Sequence, residues 1–351
     1  MLETLIKQLA AAQSLDEAQV HAAVELLADE KIPAASKAEF LIALAQKGET
    51  PGEIAAFARA LCEKSVPLPI ENDWRHSREI LDIVGTGGDR LGTFNISTTS
   101  AIVCAAAGVA VAKHGNRAVT SQAGSADVLE ALGIRIDLTP EAAARSLREK
   151  NFAFFFAPNF HPAFKHIAPA RKLCAERGQR TIFNFLGPLL NPARPSAMLV
   201  GVPRAELCEP LARVLQSLGV RRGMVVTGKI GNRKSEIGNS LDELSTLGEN
   251  TIAEFYQERG FTTSVLSPEE FPLQPATLDD LLGGDKFQNA EITRRILRGD
   301  ERGPKRDAVL LNAGAALFVA GKTKSLAEGW DFAGETIDSG KADGKLAELA
   351  S

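Results

Sequence analysis

The stretch 81–100, LDIVGTGGDRLGTFNISTTS, constrains this chain most, because it joins an apolar run, a glycine-rich loop and a helix start. The apolar run 81–84 predicts a buried strand. Gly85, Gly87 and Gly88 let the backbone turn sharply and let an anion approach its N–H groups. A strand, a glycine loop and a helix start together form a phosphate cradle, because loop and helix amides converge on one charge. A tight turn with a Ser/Thr cap is the plainer alternative.

The spacing within this loop argues against two common nucleotide-binding loops. A P-loop requires Lys and then Ser or Thr after its second glycine, whereas Asp89 and Arg90 stand at that point. The dinucleotide fingerprint G-x-G-x-x-G also fails, because its third glycine would stand at position 90 and the next glycine is Gly92. Asp89 would repel a bare phosphate, so it indicates an intervening divalent cation or a contact with ribose hydroxyls.

Composition limits the classes of protein. A chain of 351 residues with 44% hydrophobic content predicts one large or two unequal domains around a substantial core. A net charge of −4 disfavours a general nucleic-acid binder. The four cysteines are widely separated, which favours buried thiols and a cytoplasmic location. We expect neither a signal peptide nor a membrane span, because no apolar run reaches about 18 residues.

The first 65 residues predict four short amphipathic helices, and Ser14 with Glu17 and Thr50 with Glu53 form capping-box patterns. The segment 66–76 predicts a linker, because two prolines block a helix there. Beyond it, strand and helix patterns alternate, which is typical of an α/β domain with a mainly parallel sheet. The predicted strands are 80–84, 109–112, 134–137, 152–157, 197–202 and 222–227, with further strands within 250–265; the predicted helices are 97–107, 124–132, 140–150, 204–218, 286–298, 307–320 and 325–338.

The domain division predicted from this pattern is an all-helical domain beside a larger α/β domain. The segment 161–180 is helical and basic and can return to the helical domain. We therefore assign 1–68, with a second segment at about 161–185, to the helical domain, and 76–160 with 186–351 to the α/β domain. Residues 229–239 predict a polar loop.

A second motif, KHGNR at 113–117, directly follows a predicted strand, at the end of the sheet where open α/β sheets bind ligands. Lys113 and Arg117 suit a phosphate or a carboxylate, and His114 and Asn116 supply directional hydrogen bonds. A solvated turn is the alternative. A second possible anion-binding helix start follows at Thr120, Ser121, Gly124 and Ser125.

Adjacent acids form a third motif. Asp242 and Glu243 lie within the apolar frame SLDELS, and neighbouring carboxylates at a turn can bind Mg²⁺ or its waters. A helix start is the alternative, since acids are favoured there. His161 and His166 have no carboxylate or cysteine at zinc spacing. The sequence also shows neither a Ser-His-Asp nor a nucleophilic-cysteine pattern.

In their order along the chain, these motifs resemble those of the anthranilate phosphoribosyltransferase family. The resemblance covers nearly the whole chain and rests on GTGGD at 85–89, TFNIST at 93–98, KHGNR at 113–117, GSADVLEALG at 124–133, RTIFNFLGPLLNPA at 180–193, LDE at 241–243, GGD at 283–285 and LLNAGAALFVAG at 310–321. It implies the nucleoside phosphorylase/glycosyltransferase-3 fold and a homodimer formed through the helical domains. It also implies Mg²⁺-dependent phosphoribosyl transfer from phosphoribosyl pyrophosphate to the amine of anthranilate, in tryptophan biosynthesis.

The resemblance also implies roles for individual residues. It implies Ser97, Asp242 and Glu243 as the magnesium group. It implies no acid or base, and a neutral amine is a competent nucleophile once it is positioned. The implied donor-binding residues are Gly85, Gly87, Gly88, Asp89, Thr93, Asn95, Ser97, Thr98, Lys113 and Ser125, and the implied acceptor-binding residues are Gly85, His114, Asn116, His161 and Arg171.

The chain departs from the pattern of this family at three places. Arg90 follows GTGGD where many members carry a small residue, and Thr227 stands where a histidine is common. The spacing between Arg171 and Arg180 is three residues longer than usual, in the segment implied to hold the acceptor. Three alternatives therefore stay open: a paralogue with another aromatic acceptor, a pyrimidine nucleoside phosphorylase, and a non-catalytic nucleic-acid-binding relative. The absence of a Lys-rich glycine segment disfavours the second, and the acid pair with the acidic balance disfavours the third.

Overall fold

A computed structural model describes residues 2–118, 122–231 and 240–351, and it begins with the predicted helical bundle. The capping box of Thr50 and Glu53 is confirmed. The predicted cap at Ser14 is wrong, because Asp16 caps the second helix and Gln19 completes its box with the same reciprocal spacing. The four helices of the bundle are α1 Leu2–Ala10, α2 Glu17–Ala28, α3 Ala34–Lys47 and α4 Pro51–Glu63.

The rest of the described chain alternates between strands and helices, as predicted. The strands are β1 Ile80–Gly85, β2 Ala110–Gly115, β3 Phe152–Phe156, β4 Ala197–Gly201, β5 Arg222–Lys229, β6 Ser240–Leu241, β7 Asn250–Tyr256 and β8 Gly260–Leu266. The helices are α5 Asn72–His76, α6 Ile96–Ala106, α7 Ser125–Ala131, α8 Pro140–Lys150, α9 Ala157–Phe160, α10 Phe164–Glu176, α11 Phe183–Leu186, α12 Cys208–Ser217, α13 Leu278–Leu281, α14 Lys286–Arg298, α15 Pro304–Val319, α16 Leu326–Asp338 and α17 Lys341–Leu349. One-turn 3-10 helices occupy Gly187–Leu190, Ala205–Leu207 and Pro268–Glu270.

The strands form one mixed, mainly parallel sheet in the order β3-β2-β1-β4-β5-β7-β8, with β6 paired to the end of β5. The first five strands in this order are mutually parallel, whereas β7 and β8 form an antiparallel hairpin beside β5. The carboxyl ends of the parallel strands therefore meet at one edge of the sheet, where open α/β folds bind their ligands. The fold class predicted from the sequence is confirmed.

Two local predictions are wrong. The segment 134–137 is not a strand, although Ile134 and Ile136 are buried and Arg135 is exposed. Buried and exposed side chains alternate in this segment because one side of an extended connection packs against the core. Within the described chain, the segment does not pair with any strand. The predicted linker 66–76 ends in the short helix α5. Most of the predicted polar loop 229–239 lies outside the described residues.

The core of the bundle continues into the sheet. Leu41 and Phe57 of the bundle belong to the same buried apolar cluster as Leu215 of α12 and Val200 of β4. Helix α10 packs against α3, where the buried Lys37 Nζ donates to the His166 carbonyl at 2.9 Å. This packing supports assigning 161–185 to the helical domain, although the boundaries themselves stay a prediction. Among the described residues, no helix has the length and apolarity needed to cross a membrane.

Candidate active site

The glycine-rich loop between β1 and α6 adopts backbone conformations that most residue types avoid. Gly87, Gly88 and Gly92 have φ values of 75°, 93° and 71°, in the left-handed region that glycine adopts without steric strain. Arg90 lies there too, at φ 60°, which costs roughly 1–2 kcal/mol for a residue with a Cβ atom. The predicted loop conformation therefore depends on its glycines, and Arg90 is held in a strained position.

The acid pair at Asp242 and Glu243 directly follows β6 and faces this loop. The Gly87 N–H donates to Asp242 Oδ2 at 2.6 Å, and the Ser97 N–H of α6 donates to Glu243 Oε1 at 3.3 Å. Residues that are distant in sequence thus meet at the strand ends. The loop and helix amides already bind carboxylate oxygens, so this surface has the anion-binding character that the sequence predicted.

Glycine at two strand ends makes this contact possible. A Cβ atom on Gly85 would lie 2.2 Å from Asp242 Oδ2, and one on Gly201 would lie 1.6 Å from the Asp242 carbonyl oxygen. The last residue of β1 and the last residue of β4 must therefore both lack a side chain. Sequence reasoning missed Gly201, because a single glycine after an apolar run carries no distinctive signal.

The electrostatics of the acid pair fit a divalent cation. Burial, together with the neighbouring Asp89, raises the pKa of Asp242 and that of Glu243 above their ordinary values. A cation between these carboxylates would remove their mutual repulsion. Among the described residues, no group of three or more His, Cys, Asp or Glu side chains is arranged to hold a metal ion. Mg²⁺ in proteins is commonly bound by one or two carboxylates, with water and substrate oxygens completing its shell.

Lys113 is a buried cation beside the acid pair, at 2% exposure. Its Nζ donates to the Ile83 carbonyl at 2.6 Å and to Ser97 Oγ at 3.4 Å. Burial lowers the pKa of Lys113, and the carboxylates of Asp82 and Glu243 oppose that shift. The structure thus brings Lys113, Ser97 and Glu243 together, as predicted, at the carboxyl ends of β1 and β2.

The other predicted donor-binding residues lie after the loop, at the start of α6 and at the start of α7. Thr93 forms an isolated bridge with Leu282, and Asn95 precedes the first residue of α6. Thr98 is buried, and its Oγ1 has no hydrogen-bond partner among the described residues. Ser125 is the first residue of α7, and its Oγ donates to the Asn116 carbonyl at 3.4 Å.

Arg117 does not serve as a free cation at this site, contrary to the prediction. Its guanidinium pairs with Asp127 at 2.9 Å and with Glu130 at 3.0 Å, which neutralise it. Thr120 and Ser121, which were predicted at the same helix start, lie outside the described residues.

Of the predicted acceptor residues, His114 and His161 lie on the side of β2 opposite Lys113, whereas Gly85 ends β1 beside Asp242. Successive side chains of a strand point to opposite faces, so His114 points away from Lys113. His114 Nδ1 lies 3.2 Å from the Gly187 carbonyl oxygen, and the His114 ring lies edge-on to His161 with centroids 5.3 Å apart. Neither Nε2 atom has a hydrogen-bond partner among the residues described.

These two histidines are neutral near pH 7. Burial, with His161 as neighbour, lowers the pKa of His114 to about 3. Burial lowers the pKa of His161 to about 4, although a hydrogen bond with the Leu190 carbonyl opposes the shift. A neutral imidazole both donates and accepts hydrogen bonds, so the pair offers two free ring nitrogens to a ligand.

Arg171 lies at the far end of an aromatic series that starts at His161. The His161 ring contacts Phe164 at 5.6 Å between centroids, and Phe164 contacts Phe183 at the same distance. The Arg171 guanidinium carbon lies 5.1 Å from the Phe183 centroid, and its side chain is exposed. Arg171 therefore borders the same aromatic wall but does not touch the histidines, while Asn116 is exposed at the end of β2.

A buried polar pair that sequence reasoning missed supports this wall. Asn191 Nδ2 donates to Asp82 Oδ2 at 2.8 Å and to the Ala112 carbonyl at 2.7 Å. The His114 N–H donates to Asp82 Oδ1 at 3.4 Å. Burial raises the pKa of Asp82 to about 6, against the opposing effect of Lys113. An acid within an apolar strand, LDIVG, was the available signal.

Comparisons with known proteins agree with this architecture. Residues 3–65 match the glycosyl transferase family helical bundle domain, and residues 77–343 match the glycosyl transferase family a/b domain. The anthranilate phosphoribosyltransferase of Petrotoga mobilis is 48% identical over 336 residues, which cover 96% of this chain and 92% of that protein.

Solved structures of anthranilate phosphoribosyltransferases share the fold. The structure from Thermus thermophilus has a TM-score of 0.86 and 44% identity, covering 99% of this chain and 98% of that one. The Saccharomyces cerevisiae structure in complex with PRPP and Mg has a TM-score of 0.84 and 28% identity, covering 99% and 96%. A second yeast structure, with 4-fluoroanthranilate, has a TM-score of 0.83 and 27% identity, covering 100% and 98%.

A helical bundle, an α/β domain and a glycine loop facing an acid pair thus define a glycosyl transferase. Within that class, the chain belongs to the anthranilate phosphoribosyltransferase family, which acts in tryptophan biosynthesis. The family, the fold and the enzyme class predicted from the sequence are confirmed.

The glycine at the end of β4 generates a testable prediction. In Gly201→Ala, the new methyl group overlaps the Asp242 carbonyl and displaces both acids. A displacement of about 1 Å costs on the order of a hundredfold in turnover, so we expect that loss in pyrophosphate release. Gly344→Ala is the matched control, because its Cβ atom would meet open space on a helix. Full turnover by Gly201→Ala would show that the acids need no such close approach.

Proposed function

We propose that this chain transfers the phosphoribosyl group from phosphoribosyl pyrophosphate to anthranilate, with Mg²⁺, and releases pyrophosphate. One observation carries the proposal: Lys113 and His114, adjacent on β2, direct a buried cation to one side of the sheet edge and a neutral histidine pair to the other. An anionic donor and an aromatic acceptor could therefore meet at the end of one strand.

On the donor side, the chain's own groups fit an anion that gains charge as it leaves. The amides of the glycine loop and of the first turn of α6 point at the position now bound by Asp242 and Glu243. Lys113 adds a fixed positive charge at the same place. Preorganised donors of this kind stabilise charge that develops on pyrophosphate when its bond to ribose breaks.

Magnesium, when bound, supplies Lewis-acid charge to the pyrophosphate oxygens. Ser97, Asp242 and Glu243 are the residues that would hold it. Burial, with the neighbouring Asp89, raises the pKa values of Asp242 and Glu243, so a bound cation would favour the ionised forms of these two acids. This preference supports the metal assignment made from the motifs.

On the acceptor side, the chain positions an aromatic amine. The free Nε2 atoms of His114 and His161 can bind its polar groups, and Phe164 and Phe183 offer apolar faces. The amine of anthranilate is neutral near pH 7, so its lone pair attacks the ribose carbon without a general base. The proton released afterwards passes to solvent, since both histidines remain neutral.

The partners, location and domain boundaries complete the proposal. We propose a cytoplasmic homodimer through the helical domain, with the boundaries predicted from the sequence. The free thiols of Cys104, Cys174 and Cys208 are buried and suit a reducing compartment.

The core of the helical bundle is completed within the chain by the sheet and α10, so a partner is not needed to cover it. Half-exposed Ile6 and Ile42 remain as apolar surface for a second copy.

The acid pair tests the proposed reaction. Asp242→Asn with Glu243→Gln keeps the shapes of both side chains but removes both charges, so we expect Mg²⁺-dependent pyrophosphate release to disappear while the protein stays folded. The assay measures pyrophosphate released from phosphoribosyl pyrophosphate with Mg²⁺, using anthranilate first and other aromatic amines in the same panel. Full activity in the double variant would remove both acids from the mechanism. Release by the parent with another amine only would indicate a paralogue with a different acceptor.

A substitution at Arg171 tests how the acceptor is bound. Its guanidinium could bind a planar carboxylate through two parallel hydrogen bonds, whereas lysine supplies the charge without the fork. Losing one charge-assisted hydrogen bond costs about 1.5–3 kcal/mol, so Arg171→Lys should lower acceptor kcat/KM about tenfold to a hundredfold. Affinity for phosphoribosyl pyrophosphate should hardly change.

The control for Arg171 is Lys172→Gln, an exposed charge on the same helix that lies 4.0 Å from Glu176. Steady-state kinetics with each substrate varied separate the two steps. If acceptor kcat/KM stays within about twofold of the parent, Arg171 does not clamp the carboxylate, and Arg180 or Arg177 becomes the candidate.

The dimer is tested by sedimentation velocity across a micromolar dilution series. A chain of 37.4 kDa that pairs through its bundle should sediment as a species of twice that mass. The apolar surface at Ile6 and Ile42 would then be covered by the second copy. A monomer throughout the series would contradict the proposal, whatever the activity of the sample.

A further inference from the structure

The carboxyl-terminal block 281–293 lies directly against the start of α6, where the proposed donor site is built. The Phe94 N–H donates to the Leu281 carbonyl at 3.0 Å, and the Gly283 N–H donates to the Gly92 carbonyl at 2.9 Å. A Cβ atom on Gly283 would lie 2.8 Å from Phe94 Cα, so the two backbones touch. Residues far apart in sequence thus share one surface at the end of the glycine loop.

Helices α14 and α6 meet through two polar contacts spaced one turn apart. Asn289 Nδ2 donates to Asn95 Oδ1 at 2.9 Å, and the hydroxyl oxygens of Thr293 and Thr99 lie 2.9 Å apart. Asn289 is 3% exposed and Thr293 is fully buried. The first contact involves Asn95, which directly precedes α6. The second contact lies farther along both helices, away from the glycine-rich loop.

The orientation of both amides follows from their outer partners. The Gly284 N–H donates to Asn289 Oδ1 at 2.8 Å, so the Asn289 Nδ2 group must face Asn95. Asn95 therefore presents its oxygen to Asn289, and its Nδ2 donates to the Ala123 carbonyl at 3.3 Å. One series of hydrogen bonds thus runs from the carboxyl-terminal block through Asn95 to the segment before α7.

This arrangement removes Asn95 from the role that its position favours. An asparagine before the first helical residue usually accepts hydrogen bonds from first-turn amides. The Asn95 side chain makes no such bond, and the first-turn amide of Ser97 donates to Glu243 instead. Each Asn95 atom keeps a second hydrogen-bonding position, since its amide carries two protons and its oxygen two lone pairs.

We propose that Asn289 is a positioning residue for the phosphoribosyl donor. Asn289 holds the Asn95 side-chain amide away from the first turn of α6. It thereby fixes which atom of the Asn95 amide faces the donor. This inference rests on the proposed function, because it takes the surface at Asn95 to be the donor site.

The first test measures binding without turnover. Titration calorimetry follows phosphoribosyl pyrophosphate binding with Mg²⁺ present and no acceptor. Asn289→Ala and Asn95→Ala should each weaken this affinity by about tenfold, the effect of one well-placed hydrogen bond. The double variant should be weaker than either single variant by no more than about twofold, because both changes remove the same interaction. Additive losses, about a hundredfold together, would overturn the proposal.

A second pair of variants separates positioning from packing. Asn289→Asp keeps the acceptor for the Gly284 N–H but loses the donor to Asn95, so it should match Asn289→Ala and carries the test if the alanine variant fails to fold. Thr293→Val removes the neighbouring contact between the same two helices and should keep donor affinity within about twofold. Normal affinity in Asn289→Asp, or an equal loss in Thr293→Val, would overturn the proposal.

Kinetics supply a readout that a purely structural role would not move. The KM for phosphoribosyl pyrophosphate should rise about tenfold in Asn289→Asp, while the KM for anthranilate stays within about twofold. Equal increases in both constants would overturn the proposal. A parent protein that binds no phosphoribosyl pyrophosphate would contradict the proposed function, whereas normal binding by both parent and Asn289→Asp would contradict this inference alone.

Discussion

The contact between the acid pair after β6 and the backbone amides of the glycine loop holds the candidate site together. Asp242 accepts the Gly87 N–H, and Glu243 accepts the Ser97 N–H, so two carboxylates bind the amides that face the ligand. The contact needs glycine at the ends of β1 and β4, since a Cβ atom at either would overlap Asp242. Burial is the main cause of the raised pKa values of both acids, and the repulsion from neighbouring carboxylates, Asp89 among them, adds to it. A cation bound among these carboxylates would reduce their repulsion and would favour a polyanion beside it.

The alternation of a β-strand divides the two chemical tasks. Lys113 and His114 are neighbours in the chain, yet they face opposite sides of β2. One side contains a buried ammonium, hydroxyls and amides that suit phosphate, and the other contains neutral imidazoles and phenyl rings that suit an aromatic acid. A reaction that joins an anionic sugar donor to an aromatic amine needs these two environments close together but separate. The parallel sheet supplies them at one strand end.

Much of this could be predicted from the sequence, for reasons that differ between elements. The glycine loop, Asp242 and Glu243, and the motif at 113–117 are local patterns whose residue types reveal their chemistry. The pair of Asp82 and Asn191 and the contact between Asn289 and Asn95 join segments about 110 and 190 residues apart. Asp82 stands out locally as an acid within an apolar strand, but no local pattern reports which residues these side chains pair with. Arg117 was misjudged for a different reason: its partners Asp127 and Glu130 are close in sequence, but a turn must first bring their helix back against the arginine. The false strand at 134–137 shows that alternation measures one-sided burial, whereas a strand also needs a neighbour with free backbone groups.

The helical bundle supports the proposed acceptor wall through the apolar packing of α3 against α10 and through a buried lysine. Lys37 of α3 is 1% exposed, and its Nζ donates to the Asp29 carbonyl and to the His166 carbonyl at the start of α10. Burial lowers the pKa of Lys37, and Asp29 opposes that shift. The two carbonyl oxygens accept the hydrogen bonds that the buried amine would otherwise make to water. Helix α10 carries Phe164 and Arg171, which border the proposed acceptor site. The bundle thus helps to fix the position of the helix that carries these two residues.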